Sequence, residues 1–308
     1  MRNLFKYSAT FAAALFLTSQ VLPAAQASRG GIETRNNTFV IGFTYQVGGA
    51  EYVCSGIPIS PTILLTAAHC VIDKNKEKSS NYIFAEPGKE IDAAINPALI
   101  PPKILQVITG PNFRVNGIND GDDIAFIQFD KPIMTKGFIN LASEQDLRGM
   151  ANNTILSGYG YGAVYETNSA YSSFPRQYKL NWKAIEGGQS IPKLQELTNE
   201  SSTACSGDSG GPITMKSASG EELLVGVMSG AASVIDSCGT KAANNLYQMR
   251  ITVLAPYLDL VQSIYTPGEQ MKYNVQKPIK KIVCVKGKVK KTITGTNPKC
   301  PKGYKIKG

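Results

Sequence analysis

The chain has 308 residues, 43% hydrophobic and 18% charged, with 29 Gly and 17 Pro. That balance is ordinary globular material, not a low-complexity polymer, and it suffices for one sizeable core or two half-size ones. The formal net charge of +9 is unevenly placed: residues 265–308 carry 12 Lys against one acid, and with Arg2 and Lys6 also set aside, residues 28–264 are left at −4.

At the N-terminus, Arg2 and Lys6 precede an apolar run over 9–22 that ends in Ala25-Gln-Ala27. This is the pattern of a secretory signal peptide over residues 1–27, and the run is too short for a comfortable membrane span. No later segment is long and apolar enough to cross a bilayer as a helix, so the mature protein is expected outside the cell, with no transmembrane segment. Six cysteines fit that compartment, although sequence alone permits 15 pairings. The single histidine and the absence of Cys-x-x-Cys count against a zinc site, and no metal or other cofactor is expected.

From residue 39 onward the chain runs in short β-rich stretches, at 39–45, 63–66, 104–108 and 124–129, then at 154–157, 223–228 and 246–251. Gly, Pro and Asn break them, which predicts an all-β sandwich or barrel. One amphipathic helix is predicted over 253–264. Residues 265–281, with Thr-Pro-Gly and Lys-Pro, read as a linker. Residues 282–308 alternate Val with Lys, one apolar and one charged face, as in a two-stranded hairpin. This basic element has two readings: an anchor to anionic cell-surface polymers through charge attraction, or a solvated tail without a ligand. Tyr304 is the one aromatic after the linker, so nucleic-acid stacking is not supported.

Chemistry concentrates in Cys205-Ser-Gly-Asp-Ser-Gly-Gly-Pro212. Gly207, Gly210 and Gly211 allow backbone conformations closed to other residues, so peptide N–H groups can converge beside the Ser209 hydroxyl, an arrangement that suits a nucleophile next to an oxyanion hole. A serine nucleophile needs a base, and His69, in Leu-Thr-Ala-Ala-His-Cys70, is the single candidate. The base needs an orienting group, and Asp123 opens the apolar run Asp-Ile-Ala-Phe-Ile; Asp120 and Asp122 beside it read as a solvated acidic turn.

The Ala-Ala-His-Cys and Gly-Asp-Ser-Gly-Gly-Pro stretches together resemble the trypsin/chymotrypsin-like serine proteases, over about 28–264. The resemblance implies two six-stranded antiparallel β-barrels and a C-terminal helix, with the barrel boundary near 137–153. It implies His69 as general base, Asp123 as its orienter and Ser209 as nucleophile, with Ser229 supporting the aspartate. The N–H groups of Gly207 and Ser209 would form the oxyanion hole. It pairs Cys54 with Cys70 and Cys205 with Cys238, which leaves Cys284 and Cys300 to each other. Asp208 would pair with a newly made α-amino group. Ser28-Arg-Gly-Gly31 stands where the family has Ile-Val-Gly-Gly, so signal cleavage after Ala27 would create that terminus at Ser28; cleavage after Arg29, or at Ile32, is the alternative. The floor of the substrate pocket falls on Thr203 and its walls on Ser229, Gly230, Ala231 and Asn245. Thr203 carries no charge, Gly230 replaces the usual Trp, and Asp236 is close enough in sequence to intrude. An uncharged residue, apolar or aromatic, is expected before the cleaved bond. The activity expected is that of a secreted serine endopeptidase acting on protein or peptide substrates. Its rival is an inactive protease fold used for binding or adhesion, against which all three catalytic residue types are present.

Overall fold

The computed structural model describes residues 31–35, 37, 39–72, 80–85, 88, 103–113, 122–133, 137–163, 171–185, 192, 194–199, 201–231, 238, 246–264, 280–287, 289–295 and 299–306. The signal-peptide stretch therefore lies outside the described residues, as do Ser28, Asp120, Asp236 and Asn245.

A short strand β1 (Ile32–Glu33) leads into the first sheet, built from β2 (Ile41–Val47), β3 (Ala50–Ser60), β4 (Ile63–Thr66), β5 (Ser80–Phe84), β6 (Ile104–Thr109) and β7 (Ala125–Phe129). Its six strands run in the order β5-β2-β3-β4-β7-β6, all antiparallel. Successive strand residues point to opposite faces, so a strand buried on both faces reads as one continuous apolar run. That is why Ile124-Ala-Phe-Ile carries no polar alternation. Ala125, Ile127 and Phe129 pack with Ile41, Phe43 and Leu64, whereas Ile124 and Phe126 face Leu224, Val227 and Val261 from the later half of the chain.

The second sheet follows β8 (Asn140–Leu141) and helix α1 (Glu144–Gly149). It comprises β9 (Ile155–Gly160), β10 (Arg176–Asn181), β11 (Leu194–Asn199), β12 (Pro212–Lys216), β13 (Glu222–Ala231) and β14 (Tyr247–Val253). The order β10-β11-β14-β13-β12-β9 is closed by pairing of β9 with β10, which makes a six-stranded antiparallel barrel around Leu156, Tyr178, Trp182, Ile213 and Met249. β1 adds to it along β10, and β8 lies parallel to β13. The architecture is thus two six-stranded, barrel-like antiparallel sheets. Helix α1 falls in the stretch between them and starts with a capping box, Ser143 accepting from the Asp146 N–H while Asp146 accepts from the Ser143 N–H.

The predicted C-terminal helix is shorter than its pattern. Val253 still belongs to β14, Ala255–Tyr257 form a 3-10 turn, and α2 spans Leu258–Ile264. Pro256 explains the break, since it can occupy a first helical turn but not a helix interior. No helix among the described residues is long and apolar enough to cross a membrane. The C-terminal element differs from a two-stranded hairpin: β15 (Lys280–Lys286) lies between β16 (Val289–Gly295) and β17 (Lys305–Ile306). Lys280 and Lys281 are strand residues, so the expected linker is shorter at its C-terminal end.

Candidate active site

His69 and Asp123 are 54 positions apart in the chain but lie at one end of the first sheet. β4 pairs antiparallel with β7, matching Thr66 with Ala125, so the chain leaving β4 and the chain approaching β7 sit side by side. His69 lies on the 3-10 turn Ala68–Cys70 directly after β4. Its Nδ1 is 2.8 Å from Asp123 Oδ2, and its backbone N–H donates to Asp123 Oδ1 at 2.9 Å. Ser229 Oγ donates to Asp123 Oδ2 at 2.6 Å, and Thr252 Oγ1 donates to the Asp123 carbonyl at 3.0 Å.

Burial on its own would lower the His69 pKa; the charge of Asp123 and its hydrogen bond outweigh burial, so the imidazole is held above its ordinary 6.5. Burial likewise would raise Asp123, but the His69 charge and the bonds from His69 and Ser229 pull its carboxyl below the ordinary 3.8. With the Asp123 carboxylate accepting at Nδ1, the proton of the neutral ring sits on Nδ1 and the Nε2 lone pair is available. The His69 side chain keeps 27% of its surface exposed, and that of Asp123 none.

The Ser209 loop is tied down by its carbonyls. The Ser206 carbonyl accepts from the Ala163 N–H at 2.7 Å, the Gly207 carbonyl from Ser55 Oγ at 2.8 Å, the Asp208 carbonyl from the Gly211 N–H at 2.9 Å and the Ser209 carbonyl from the Ser55 N–H at 2.8 Å. A trans peptide directs its N–H opposite to its C=O. Fixing the Ser206 and Asp208 carbonyls therefore turns the Gly207 and Ser209 N–H groups to the other side of the loop, and neither donates to an acceptor among the described residues. Gly207 adopts φ +96° and Gly210 +78°, in the left-handed region that a side chain would strain; a Cβ on Gly210 would also lie 2.0 Å from Thr66 Oγ1. Ser209 itself is partly exposed.

Asp208 is fully buried, accepting from the Gly162 N–H and the Cys205 N–H, each at 2.8 Å. Gly160 and Gly162 make room for it, since a Cβ on either would lie within 2.4 Å of an Asp208 carboxyl atom. Ser28 lies outside the described residues; the chain from Gly31 onward is secured by the Arg176 guanidinium on the Gly31 carbonyl at 3.0 Å and by β1 on β10.

Three disulfides are formed, Cys54–Cys70, Cys205–Cys238 and Cys284–Cys300. The first links β3 to the His69 turn and the second braces the loop before Ser209. Cys54, His69 and Cys70 present ligand-type atoms within 4.8 Å of one another. Both sulfurs are spent in the disulfide and Nδ1 faces Asp123, so the donor set does not suit a metal.

Around the expected substrate pocket, Thr203 is buried at 1% exposure and bonds to the Ala204 carbonyl at 3.2 Å. Ser229 turns its hydroxyl to Asp123, so only its backbone is left to face a pocket. Gly230 and Ala231 end β13, after a register shift between Met228 and Gly230.

Asp122 overturns its expected place in a solvated turn. It is 1% exposed, accepting from the Tyr257 hydroxyl and, at 3.1 Å, from the Asn112 N–H. Ser55, Thr252, Tyr161 and Gly162 also serve the site without having been singled out. None lies in a recognisable motif, and each acts through contacts more than 40 positions away in the chain.

Paired six-stranded antiparallel barrels with a short closing helix define the chymotrypsin class of folds. Within that class the chain belongs to the trypsin family: a family model described as Trypsin matches residues 28–256. Among similar proteins, CLIP domain-containing serine protease B4 of Anopheles gambiae is 23% identical over 255 residues, 76% of this chain and 69% of that protein. Trypsin eta of Drosophila melanogaster is 27% identical over 179 residues, 53% and 62% of the two chains. Chymotrypsin-like elastase family member 1 of Canis lupus familiaris is 25% identical over 224 residues, 67% and 81%.

Proposed function

We propose that this chain is a secreted serine endopeptidase that cleaves peptide bonds through an acyl-enzyme. What carries the reading is the combination of an imidazole fixed by a buried aspartate with a serine loop in which the Gly207 and Ser209 N–H groups donate to no acceptor among the described residues. Ser209 Oγ attacks the carbonyl carbon of the substrate while His69 Nε2 takes its proton. The carbonyl oxygen becomes an oxyanion and accepts from the Gly207 and Ser209 N–H groups. Asp123 holds the imidazolium in place and remains ionised. As the tetrahedral species collapses, the C–N bond breaks and His69 returns the proton to the leaving amine. Water then attacks the ester, losing a proton to His69, and the acid product leaves as Ser209 regains that proton. The steps use side chains, the two backbone N–H groups and water.

The uncharged, buried Thr203 supports an uncharged residue before the cleaved bond rather than Arg or Lys, because Thr203 offers a basic side chain no carboxylate. Signal cleavage after Ala27 would place an α-amino group at Ser28, the proposed partner of Asp208. The lysines of the C-terminal sheet are the part of the chain suited to an anionic cell-surface polymer.

The deciding experiment is reaction of the purified, secreted protein with a fluorophosphonate probe beside Ser209→Ala. Labelling that disappears in the mutant is expected. A folded, processed wild-type protein that takes no label would overturn the proposal in favour of a binding role.

A further inference from the structure

We propose that Ser55 is a positioning residue of the oxyanion hole, an inference that rests on the protease reading above. Ser55 lies in β3, in the first barrel, and has no exposed surface. Its backbone N–H donates to the Ser209 carbonyl at 2.8 Å and its hydroxyl to the Gly207 carbonyl at 2.8 Å. One residue of the first barrel thus secures both residues whose N–H groups face the reacting oxygen. The same hydroxyl accepts from the Tyr161 N–H at 2.9 Å, from the second barrel. Tyr161 opens the segment 161–163, whose next two N–H groups hold Asp208 and the Ser206 carbonyl. The Ser55 hydroxyl therefore links Gly207 to the segment that fixes the residues on either side of it.

The need for this link follows from Gly207. At φ +96° without a Cβ, its peptides rotate more easily than those of any other residue type. A flip of the Ser206–Gly207 peptide would misdirect the Gly207 N–H; the Ser55 hydroxyl fixes the peptide on the other side of Gly207 and so limits the freedom of that residue to turn. Behind Ser55, Thr66 Oγ1 donates to the Ser55 carbonyl at 2.8 Å, and the close approach of Gly210 to both residues leaves the loop no room to settle elsewhere. Removing the hydroxyl strands a buried carbonyl at Gly207 and a buried N–H at Tyr161.

The test is Ser55→Ala, with wild type and Ser209→Ala beside it, on the best fluorogenic peptide found by profiling. The expected result is a fall in kcat of roughly 10-fold, smaller than the 10²–10³ of losing an oxyanion donor outright, with KM nearly unchanged. A peptide aldehyde, whose hemiacetal oxygen occupies the hole, should lose affinity in parallel. The acid midpoint of the pH–rate profile should stay in place, because the bonds of Ser55 run to Gly207, Tyr161, Ser209 and Thr66 and not to His69 or Asp123. Ser55→Gly serves the same test should the alanine variant fail to fold, and the same fall is expected. A folded variant with unchanged kcat, a loss confined to KM, or a displaced pH midpoint overturns the proposal while leaving the protease reading intact. A wild-type protein that cleaves nothing sinks both.

Discussion

Asp122 and Asp123 are chain neighbours, both 1% exposed, and their carboxylates serve different partners. Asp123 holds His69; Asp122 accepts from the hydroxyl of Tyr257, in the turn that leads into the closing helix. The segment that leads into β7 is thereby fastened to the turn before the closing helix. Removing the hydroxyl in Tyr257→Phe leaves a buried carboxylate oxygen short of a donor, at a cost of about 1–3 kcal/mol. Urea unfolding should show that loss with the unfolding slope unchanged, while turnover per folded molecule stays close to wild type. An unchanged midpoint would mean that the Asp122–Tyr257 bond contributes nothing.

The pH dependence follows from the His69–Asp123 pair. In the proposed mechanism only the ring with a free Nε2 can take the Ser209 proton, so kcat/KM should rise with pH as His69 deprotonates. Because Asp123 holds the imidazole pKa up, the midpoint should lie above 6.5. Linkage gives the matching stability pattern. The raised His69 pKa stabilises the fold fully below 6.5, and that contribution is lost as pH rises through the folded value. The lowered Asp123 pKa stabilises it above 3.8, a contribution lost as pH falls through its folded value. The pair therefore contributes most between those two pH values. Asp123→Asn should reduce kcat by roughly 10⁴ and move the rate midpoint downward, since burial then acts on His69 unopposed. A rate profile that keeps its midpoint in the asparagine variant would contradict this account.

Ser229→Ala tests the second donor on Asp123. The bond is a hydroxyl on a buried carboxylate at 2.6 Å, the charge-assisted kind that contributes about 1.5–3 kcal/mol. Its loss lets the Asp123 pKa climb and loosens the imidazole. A roughly tenfold or greater drop in kcat/KM is expected, with stability lost less steeply as pH falls, because a smaller depression of the Asp123 pKa leaves less linked stability to lose. Equal acid sensitivity of mutant and wild type would show that Ser229 does not bear on Asp123.

How much of this was legible in the sequence depended on the range of the interaction. The Ser209 loop and the His69 turn were readable because their chemistry is local: glycines beside a serine, and a histidine beside a cysteine. The β character of the chain was readable from its short apolar runs, although β3, β5, β10, β11 and β12 were not; in β3, β10, β11 and β12, buried polar residues such as Ser55, Arg176, Gln195 and Thr214 blur the pattern. Asp122 looked like a solvated acid because Tyr257 is 135 positions away. Ser55 gave no signal, since its hydroxyl meets Gly207 across 152 positions and from a different barrel. That Val253, at the start of the helix pattern, still belongs to β14 was hidden because a buried strand and a buried helix face use the same residue types.

Gly162 offers the sharpest test of whether Asp208 shapes the proposed oxyanion hole. Its N–H donates to Asp208 Oδ1, and a Cβ there would lie 2.4 Å from both the Cγ and the Oδ2 of that carboxyl group. Those atoms are fully buried and face a Cys205 N–H on the other side, so the carboxyl group cannot simply retreat. Gly162→Ala should displace Asp208 and, through the next peptide, the Ser209 N–H. The His69–Asp123 pair lies outside that contact and should keep its geometry. The expected outcome is a folded protein with both catalytic-site disulfides intact, an unshifted pH midpoint and a kcat lowered by roughly 10²-fold or more, the scale of losing an oxyanion donor. Activity close to wild type in the alanine variant would mean that the oxyanion donors are held independently of Asp208.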